Sequence, residues 1–584
     1  MVMPALADKL DTVEVNGPQG DGLDWDALYW RPVEDNVGRL RQRIFKASQE
    51  GDLKRVRNLQ KLMLRSRSNT LVSVRRVTQH NAGRKTAGID GEVVLTSRAR
   101  AELAVDLHRH TTPWQAQPVK RVYIPKANGK QRPLGIPVLR DRVQQARVAN
   151  ALEPEWEARF EPRSYGFRPG RGCHDAIESI YWTLKGRSCK RQWILDADLS
   201  AAFDRIDHER LLNHLGTFPA REMVAGWLAA GVIEQGRFTP TGEGTPQGGV
   251  VSPMLLNIAL HGMEEAAGVR YLRCDPQGAH VAPDSAVLVR YADDFVVMCH
   301  TKDQAEQVQH RLAGWLAPRG LAFNEDKTHI VHVDGGFDFL GFNVRRYNGK
   351  LLIKPSQAAV RRIRERLTAE VRSLNGGNAI AVIRRLTPII RGWAAYYRGV
   401  VSKEVFSTID NHLWRRLYRW ALRAHPNKSR HWAVGRYFGR FNRSRNDRWV
   451  FGDRDSGIYL RQFAWTKIVR HKMVMGTASP DDPALDWYWA RRRRRTYSLL
   501  GGITASLLLR QQGRCPVCKT FLLNAEHGPQ TPREWEQWTM SLTKALRKTA
   551  VVLDDALGDD PTTYRLTHAH CRQHAGQQWD QHTR

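Results

Sequence analysis

The sequence predicts an α+β protein that continues into a helical, basic region and ends in a small Cys/His domain. Three observations lead to this class. Residues 80–345 alternate short apolar runs with stretches of helical periodicity, as the strands and helices of a mixed fold do. Residues 355–425 place apolar residues at three- and four-residue spacing among many arginines, which indicates packed helices with a basic surface. Near the C-terminus, a Cys-x-x-Cys pair precedes a His-x-x-Cys pair, a spacing typical of zinc-binding domains.

The net charge of the chain restricts the kinds of partner that it can bind. The 584 residues include 91 lysine and arginine residues against 59 aspartate and glutamate residues, a formal net charge of +32 at pH 7. This excess predicts a polyanionic partner and binding that weakens with salt. The sequence contains no apolar run of the roughly 18 residues that a membrane span needs, and no signal peptide, so we expect no membrane partner. Seven scattered cysteines are too few for a disulfide scaffold, which favours a reducing cytoplasm.

The N-terminal region divides into a tail and a helical segment. Residues 1–36 are assigned to the tail, because the first 24 residues are polar, acidic and contain glycine and proline. From about residue 37 to residue 78, apolar residues recur at helical spacing while arginine and lysine fill the other faces. This pattern predicts basic amphipathic helices.

Two acidic segments carry the candidate chemistry. The first is an apolar run, typical of a buried strand, that ends at Asp198. The second is Tyr291–Asp294, which stands between the apolar runs Ala286–Val289 and Phe295–Met298 and so predicts a hairpin with an aspartate pair at its tip. Adjacent carboxylates repel each other unless a cation lies on them, although such a pair taken alone is often only a solvated turn. Two strands ending in acid would bring Asp198 and Asp293 together around two Mg²⁺ ions, an arrangement suited to phosphoryl transfer.

The blocks around these acids resemble reverse transcriptases, specifically the group II intron-encoded reverse transcriptase/maturases. The similarity runs from about residue 81 to about residue 438, and its ordered blocks make it specific for that family. In chain order the blocks are Thr86–Gly91, Ile124–Lys126 with Gln131–Pro137, Ser164–Gly170, the Asp198 segment, Gly244–Gly249 with Ser252–Pro253, the Asp293 segment and Phe339–Phe342, followed by Leu386–Trp393 and His425–Ser429.

The resemblance implies an α+β right-hand polymerase with fingers and palm, an α-helical thumb called domain X, and a small Cys/His zinc-type C-terminal domain. After the tail, residues 37–350 would form the fingers and palm with an N-terminal extension, and residues 351–474 the thumb. A basic DNA-binding segment over 475–510 and a degenerate HNH-like zinc domain over 511–584 would follow. The basic faces of the N-terminal extension are either a solvated surface or an RNA-binding surface.

The resemblance also assigns the polymerase site. Asp198, Asp293 and Asp294 would be catalytic, with two Mg²⁺ ions held by Asp198, Asp293 and the carbonyl of Leu199. Tyr291 would contact the primer end.

Further residues are implied to contact the incoming dNTP, namely Lys126, Arg132, Phe203, Gln247 and Gly248. Lys126 and Arg132 flank a predicted hairpin tip, at which Lys130 competes for the same role. Phe203 would exclude a ribose 2′-OH, and ordinary core packing is its alternative. The Gly-rich turn at Gln247 and Gly248 would let the backbone approach the nucleotide.

The C-terminal part contains a linker-like stretch, an arginine run and the Cys/His pairs. Residues 475–483 are rich in small and turn-forming residues, and Arg491–Arg495 would either be solvated or bind phosphate. Cys515, Cys518, His568 and Cys571 are predicted to bind one structural Zn²⁺, with a redox-active Cys-x-x-Cys as the alternative.

The same C-terminal segment resembles an HNH endonuclease domain but departs from its pattern. The paired histidines of that family are absent, and His527 is the only histidine between Cys518 and His568. We therefore expect a zinc-stabilised remnant that does not cut DNA.

Together these features predict an RNA-dependent DNA polymerase of the bacterial cytoplasm. It would bind group II intron RNA and assist splicing. During retrohoming it would copy the intron RNA into DNA at a DNA target, with dNTPs as substrates. Two alternatives remain open at this point: a domesticated reverse transcriptase without an intron, and a non-enzymatic RNA splicing factor.

Overall fold

A computed structural model describes residues 23–109, 113–125, 131–186 and 189–497, and then 507, 510–511, 515–517, 522, 529–547, 551–554, 565–568 and 571. Lys126, Lys130, Cys518 and His527, which the sequence singled out, lie outside the described residues.

The described chain begins with a helical layer that packs on the long helix α5 (Leu139–Glu157). Its elements are α1 (Trp30–Gln49), α2 (Leu53–Arg65), α3 (Arg67–Arg75), a π-helical turn (Arg76–His80), a 3₁₀ turn (Ala82–Lys85) and α4 (Ser97–Arg109). Helix α1 begins at Trp30, six residues before the predicted end of the tail, so the helical region starts earlier than the sequence pattern indicated. The physical reason is that Val33 and Val37, one helical turn apart, are both buried.

A four-stranded sheet follows, in the order β2-β1-β5-β6. It contains β1 (Val119–Pro125), β2 (Gln131–Ile136), β5 (Val232–Glu234) and β6 (Arg237–Thr239), and the buried helix α5 (Leu139–Glu157) follows β2. The antiparallel β1–β2 pair places Arg132 opposite Ile124.

The central sheet has five strands, in the order β11-β4-β10-β9-β3. The strands are β3 (Ser164–Tyr165), β4 (Trp193–Asp198), β9 (Val287–Tyr291), β10 (Asp294–Cys299) and β11 (His329–His332). Around them lie α6 (Cys173–Leu184), α7 (Ala202–Arg205), α8 (His208–Leu215), α9 (Arg221–Ala229), α10 (Ser252–Ala259), α11 (Met263–Ala266), the hairpin β7 (Tyr271–Asp275) and β8 (Gly278–Val281), α12 (Lys302–Leu316), and the 3₁₀ turns Ala317–Arg319 and Glu325–Lys327.

The central sheet separates two hydrophobic cores. Leu195 and Ala197 of β4 face a core shared with α8, α10 and α12, whereas Ile194 faces a core that continues into the helices beyond the sheet. This alternation is the period of two that a strand buried on both faces must show. Asp198 is therefore on the same face as Ile194.

The C-terminal half is mainly helical. A three-stranded sheet of β12 (Phe337–Phe339), β13 (Phe342–Tyr347) and β14 (Lys350–Pro355) leads into α13 (Gln357–Ser373), α14 (Ala379–Tyr397), α15 (Lys403–Ala424) and α16 (Arg430–Tyr437). The remaining elements are β15 (Phe438–Gly439), β16 (Val450–Phe451), 3₁₀ turns at Phe463–Trp465 and Pro483–Leu485, α17 (Asp486–Tyr497), α18 (Pro532–Arg547), β17 (Val551–Asp554) and β18 (Arg565–His568). No helix of the described part of the chain is long and apolar enough to span a membrane.

The stretch 475–483, predicted to be a linker, is packed against the segment that leads into α6. Ala478 and Ser479 are buried, and Arg171 donates hydrogen bonds to the carbonyls of Gly476 and Ala478 at 2.7 and 3.0 Å. The interpretation of this stretch as a linker was wrong, because the Arg171 guanidinium binds its buried backbone carbonyls. The local composition does not reveal such a partner.

Helix α18 docks on the helical region. A Cβ on Gly392 of α14 would lie 2.6 Å from the backbone nitrogen of Glu536, so only glycine permits this approach. The Glu536 carboxylate pairs with Arg366 of α13 at 2.7 Å, and the Gln530 side chain accepts the N–H of Cys173 at 2.8 Å. The C-terminal segment is thus joined to both α14 and the start of α6.

Candidate active site

Three carboxylates meet at one end of the central sheet. Strand β4 pairs antiparallel with β10, and the register places Asp198 directly opposite Asp294. Strands β9 and β10 form a hairpin in which Tyr291 pairs with Asp294, leaving Ala292 and Asp293 as the turn. The structure therefore brings together the three predicted catalytic aspartates.

The hairpin turn has a constrained backbone. Ala292 has a φ of +57°, the left-handed conformation that a type II′ turn requires at its first central position. Its N–H donates to the carbonyl of Tyr165 at 3.0 Å, which attaches the turn to edge strand β3. Gly166 passes so close that a Cβ there would lie 2.8 Å from the Ala292 nitrogen. Glycine at residue 166 thus allows the segment after β3 to support the turn.

Arg290 fixes the same turn from inside the protein. Its guanidinium is buried and donates to the Asn257 Oδ1 at 2.9 Å, to the Ala292 carbonyl at 3.1 Å and to the Ser164 Oγ at 2.6 Å. Asn257 in turn donates to the carbonyl of Gly166 at 3.1 Å. The peptide preceding Asp293 is therefore held by charge-assisted hydrogen bonds.

The electrostatics of the acids favour a bound cation. Burial, followed by the charges of its acidic neighbours, raises the pKa of Asp294, and burial likewise raises the pKa of Asp293. Lys327 forms an ion pair with Asp198, and Asn324 donates to that carboxylate at 3.5 Å. Mutually repelling carboxylate oxygens are the donor set that a hard divalent cation prefers, so the residues fit Mg²⁺. Leu199, predicted to offer its carbonyl, is buried beside them.

Phe203 stands beyond the end of β4, in α7, and is partly buried. Its carbonyl accepts the N–H of Thr245 at 2.5 Å, so the Gly-rich turn is attached to the same helix. At the other end of the turn, the Gln247 carbonyl accepts the N–H of Gly135 at 2.7 Å. A Cβ on Gly248, whose φ is +127°, would lie 2.6 Å from the Gly135 carbonyl oxygen. The turn thus bridges α7 and strand β2.

Arg132 and Tyr291 are the remaining predicted contacts that lie within the described residues. Arg132 is exposed on β2. Burial raises the pKa of Asp293, and the positive charge of Arg132 partly offsets this rise, so Arg132 lies on the side of the acids. Tyr291 is partly buried, and burial raises its pKa. Lys126 is outside the described residues, so its role stays a prediction.

Sequence reasoning missed Arg290, Asn257 and Lys327. A signal for Arg290 was present, since an arginine inside an otherwise apolar strand needs buried acceptors. Asn257 and Lys327 had no comparable signal, because their partners are 91 and 129 residues away in the chain.

A second cluster of possible metal ligands lies in the C-terminal segment. One ligand atom from each of Cys515, His568 and Cys571 lies within 4.8 Å of the others, and both cysteines are buried. His568 ends β18, where the side chain of Gln511 exchanges two hydrogen bonds with the Leu566 backbone at 2.7 Å each. Three of the four predicted zinc ligands therefore converge, and Cys518 lies outside the described residues.

Comparison with known proteins identifies three matching family models. They describe the N-terminal domain of reverse transcriptase over residues 25–107, reverse transcriptase (RNA-dependent DNA polymerase) over 124–344, and the group II intron maturase-specific domain over 360–438.

Curated relatives agree with these matches. Protein YkfC of Escherichia coli is 38% identical over 316 residues, which cover 49% of this chain and 82% of that protein. Group II intron-encoded protein LtrA of Lactococcus lactis is 28% identical over 285 residues, covering 39% and 47%, so the match spans about half of the Lactococcus protein. Maturase-like protein 1 of Euglena gracilis is 26% identical over 374 residues, covering 63% and 76%.

Proposed function

The chain belongs to the family of group II intron-encoded reverse transcriptase/maturases, and we propose that it copies its intron RNA into DNA at the site of Asp198, Asp293 and Asp294. It is an RNA-directed DNA polymerase with a maturase domain. The observation that carries the site assignment is the register that sets Asp198 against the hairpin tip.

Asp198 and Asp293 are proposed to hold two Mg²⁺ ions, with the Leu199 carbonyl as a further ligand. When bound, the two ions would stabilise the attacking 3′ oxygen and the leaving pyrophosphate oxygen. The protein itself positions the reacting groups. Asp294 fixes the turn against β4, Arg132 attracts the triphosphate, and Tyr291 contacts the primer end so that it faces the α-phosphorus.

The pocket for the sugar is proposed to lie between α7 and the Gly-rich turn. Phe203 would stand against the ribose C2′ and exclude a 2′-OH, while the backbone at Gln247 and Gly248 approaches the nucleotide. The hydrogen bond from Thr245 to the Phe203 carbonyl supports this proposal, since it fixes the turn and the aromatic residue relative to each other.

The intron RNA is proposed to bind the basic surfaces of the N-terminal helices and of domain X. One such surface is a groove of about 1240 Å³ between the β13–β14 hairpin and helices α13 and α15. Its cationic lining includes Arg345, Lys354, Arg361, Arg364 and Arg416. Guanidinium groups clustered in this way suit RNA phosphates.

The C-terminal segment is proposed to bind one Zn²⁺ through Cys515, Cys518, His568 and Cys571 without cutting DNA. Four such ligands give a closed tetrahedral site with no position for a reactive water. Retrohoming would then need a primer other than a strand nicked by this protein, such as a nascent strand at a replication fork.

The polymerase assignment is tested with purified protein, Mg²⁺, dNTPs and a primed RNA template. Asp293→Ala should abolish extension because it removes a metal ligand, whereas Asp303→Ala, which removes an exposed carboxylate at the start of α12, should extend like the parent. Undiminished extension by Asp293→Ala would refute the site.

The maturase role is tested with the same variant. Asp293→Ala should still promote splicing of the intron RNA, because RNA folding needs no metal at that turn. Loss of splicing together with polymerisation, while RNA binding survives, would contradict a separate maturase surface.

A further inference from the structure

Phe167 has an unusual backbone for an aromatic residue. Its φ is +56°, in the left-handed region that residues with a Cβ rarely adopt, and its side chain is 48% exposed. Burial in the core therefore does not account for a phenylalanine at this position. Backbone strain of this kind tends to occur at functional sites, where the surrounding structure enforces it.

The residues on both sides of Phe167 are fixed. Gly166 lies against the turn that carries Asp293, and its carbonyl is held by Asn257. Arg168 is buried, pairs with both oxygens of Glu157 at 2.9 and 3.0 Å, and donates to two backbone carbonyls. The conformation of Phe167 is thus imposed by the same framework that positions the turn carrying Asp293, and its side chain stays half exposed.

The ring of Phe167 contacts the ring of Phe203. Their centroids are 6.2 Å apart at an interplanar angle of 76°, an edge-to-face arrangement of the favourable kind. Phe167 follows edge strand β3 and Phe203 follows β4, with the β9–β10 hairpin between these two strands. The two rings therefore meet across the end of the sheet, beside the three carboxylates.

We propose that Phe167 is a second specificity-determining residue, whose ring holds Phe203 in the orientation that excludes a ribose 2′-OH. Phe203 is only partly enclosed, so without a neighbour its ring could rotate away from the sugar and admit the hydroxyl. Phe167 blocks this rotation by occupying the adjacent space. This inference rests on the proposed function, because it requires Phe203 to face the incoming nucleotide.

The experiment measures single-nucleotide incorporation on a primed RNA template, with kcat/KM for dCTP compared with kcat/KM for CTP. Phe167→Ala should lower discrimination against CTP by roughly ten- to a hundredfold, the usual weight of one steric contact. Most of the change in discrimination should come from a higher kcat/KM for CTP, with kcat for dCTP nearly unchanged. Phe167→Tyr keeps the ring and should retain the parent's discrimination.

Two further variants separate a structural role from a positioning role. Phe167→Gly removes the ring and also the left-handed strain, so it should be at least as heat-stable as the parent yet discriminate as poorly as Phe167→Ala. In a double-mutant cycle, adding Phe167→Ala to Phe203→Ala should cause little further loss, because the first residue acts through the second.

The possible results distinguish this inference from the proposed function. If Phe203→Ala loses discrimination and Phe167→Ala does not, Phe167 has no role in specificity, while the gate assignment stands. If Phe203→Ala keeps full discrimination, both the gate and this inference are wrong. Additive losses in the double variant would show that Phe167 does not act through Phe203, which also overturns the inference.

Discussion

Replacing Arg290 by methionine tests two effects of its guanidinium: how it positions the turn that carries Asp293, and how much it stabilises the protein. Methionine fills similar space but removes three charge-assisted hydrogen bonds, to Asn257, Ala292 and Ser164. Lost bonds of this kind typically cost about 1.5–3 kcal/mol each. Burial, however, lowers the pKa of Arg290 from 12.5 to about 10, so burying its charge already costs about 3 kcal/mol. The two effects oppose each other. The three bonds together are worth about 4–9 kcal/mol, so the net loss of stability should be about 1–6 kcal/mol.

The variant that remains folded should also lose activity. Without the guanidinium, the Ala292 carbonyl loses its anchor, and a shift of about 1 Å in a catalytic group can cost about a hundredfold in rate. Arg290→Met should therefore lower kcat for primer extension by about a hundredfold while KM for dNTP changes little. Arg290→Lys, which keeps the charge, should be intermediate. Arg273→Met, which replaces an exposed arginine of β7, is the matched control. A folded Arg290→Met protein with parental kcat would refute the reasoning.

Four further predictions concern other parts of the molecule. Burial lowers the pKa of His174 from 6.5 to about 4, so stability should fall by about 3 kcal/mol as the pH drops through that interval, and His174→Asn should flatten this dependence in thermal melts. Gly392→Val should release α18 by clashing with the backbone of Glu536 and speed proteolysis after residue 497, whereas Gly314→Val, with open space around it, should not. Metal analysis should find one zinc per chain, absent in Cys515→Ser, and no nicking of double-stranded DNA by either protein. The log of intron RNA affinity should fall linearly with the log of salt concentration, and a flat response would contradict binding through phosphates.

The sequence predicts the elements of the active site well because their signals are local. The apolar runs at Ala286–Val289 and Phe295–Met298 correspond to strands Val287–Tyr291 and Asp294–Cys299, and Asp198 does end its strand. Buried strands of this kind have an unbroken apolar pattern with turn residues at their ends, so a short window of sequence is enough.

The support of the site was not predictable in this way. Arg290 takes its acceptors from three separate segments. Residue 166 has no room for a Cβ, because a turn 126 residues later passes beside it. The predicted linker failed for the same reason, since Arg171 and Ala478 are distant in sequence. Local composition indicates how flexible a segment is by itself. It does not identify the distant residue that binds the segment and fixes it.

The charges of the protein are consistent with the proposed metal site, in which acids lie on a rigid turn. A chain with a formal net charge of +32 attracts RNA at long range but repels Mg²⁺ in the same way. A cation at the proposed site would therefore have to be attracted locally, by carboxylates buried enough to be weakly screened. Such carboxylates repel one another, and this repulsion adds to the effect of burial in raising the pKa of Asp294, so the carboxylates would move apart unless the backbone held them. The pairing of Asp198 with Asp294, together with the anchoring of Ala292 by Arg290, supplies that restraint. The buried guanidinium of Arg290 thus fixes the backbone of the turn, and the carboxylate oxygens remain available to a metal.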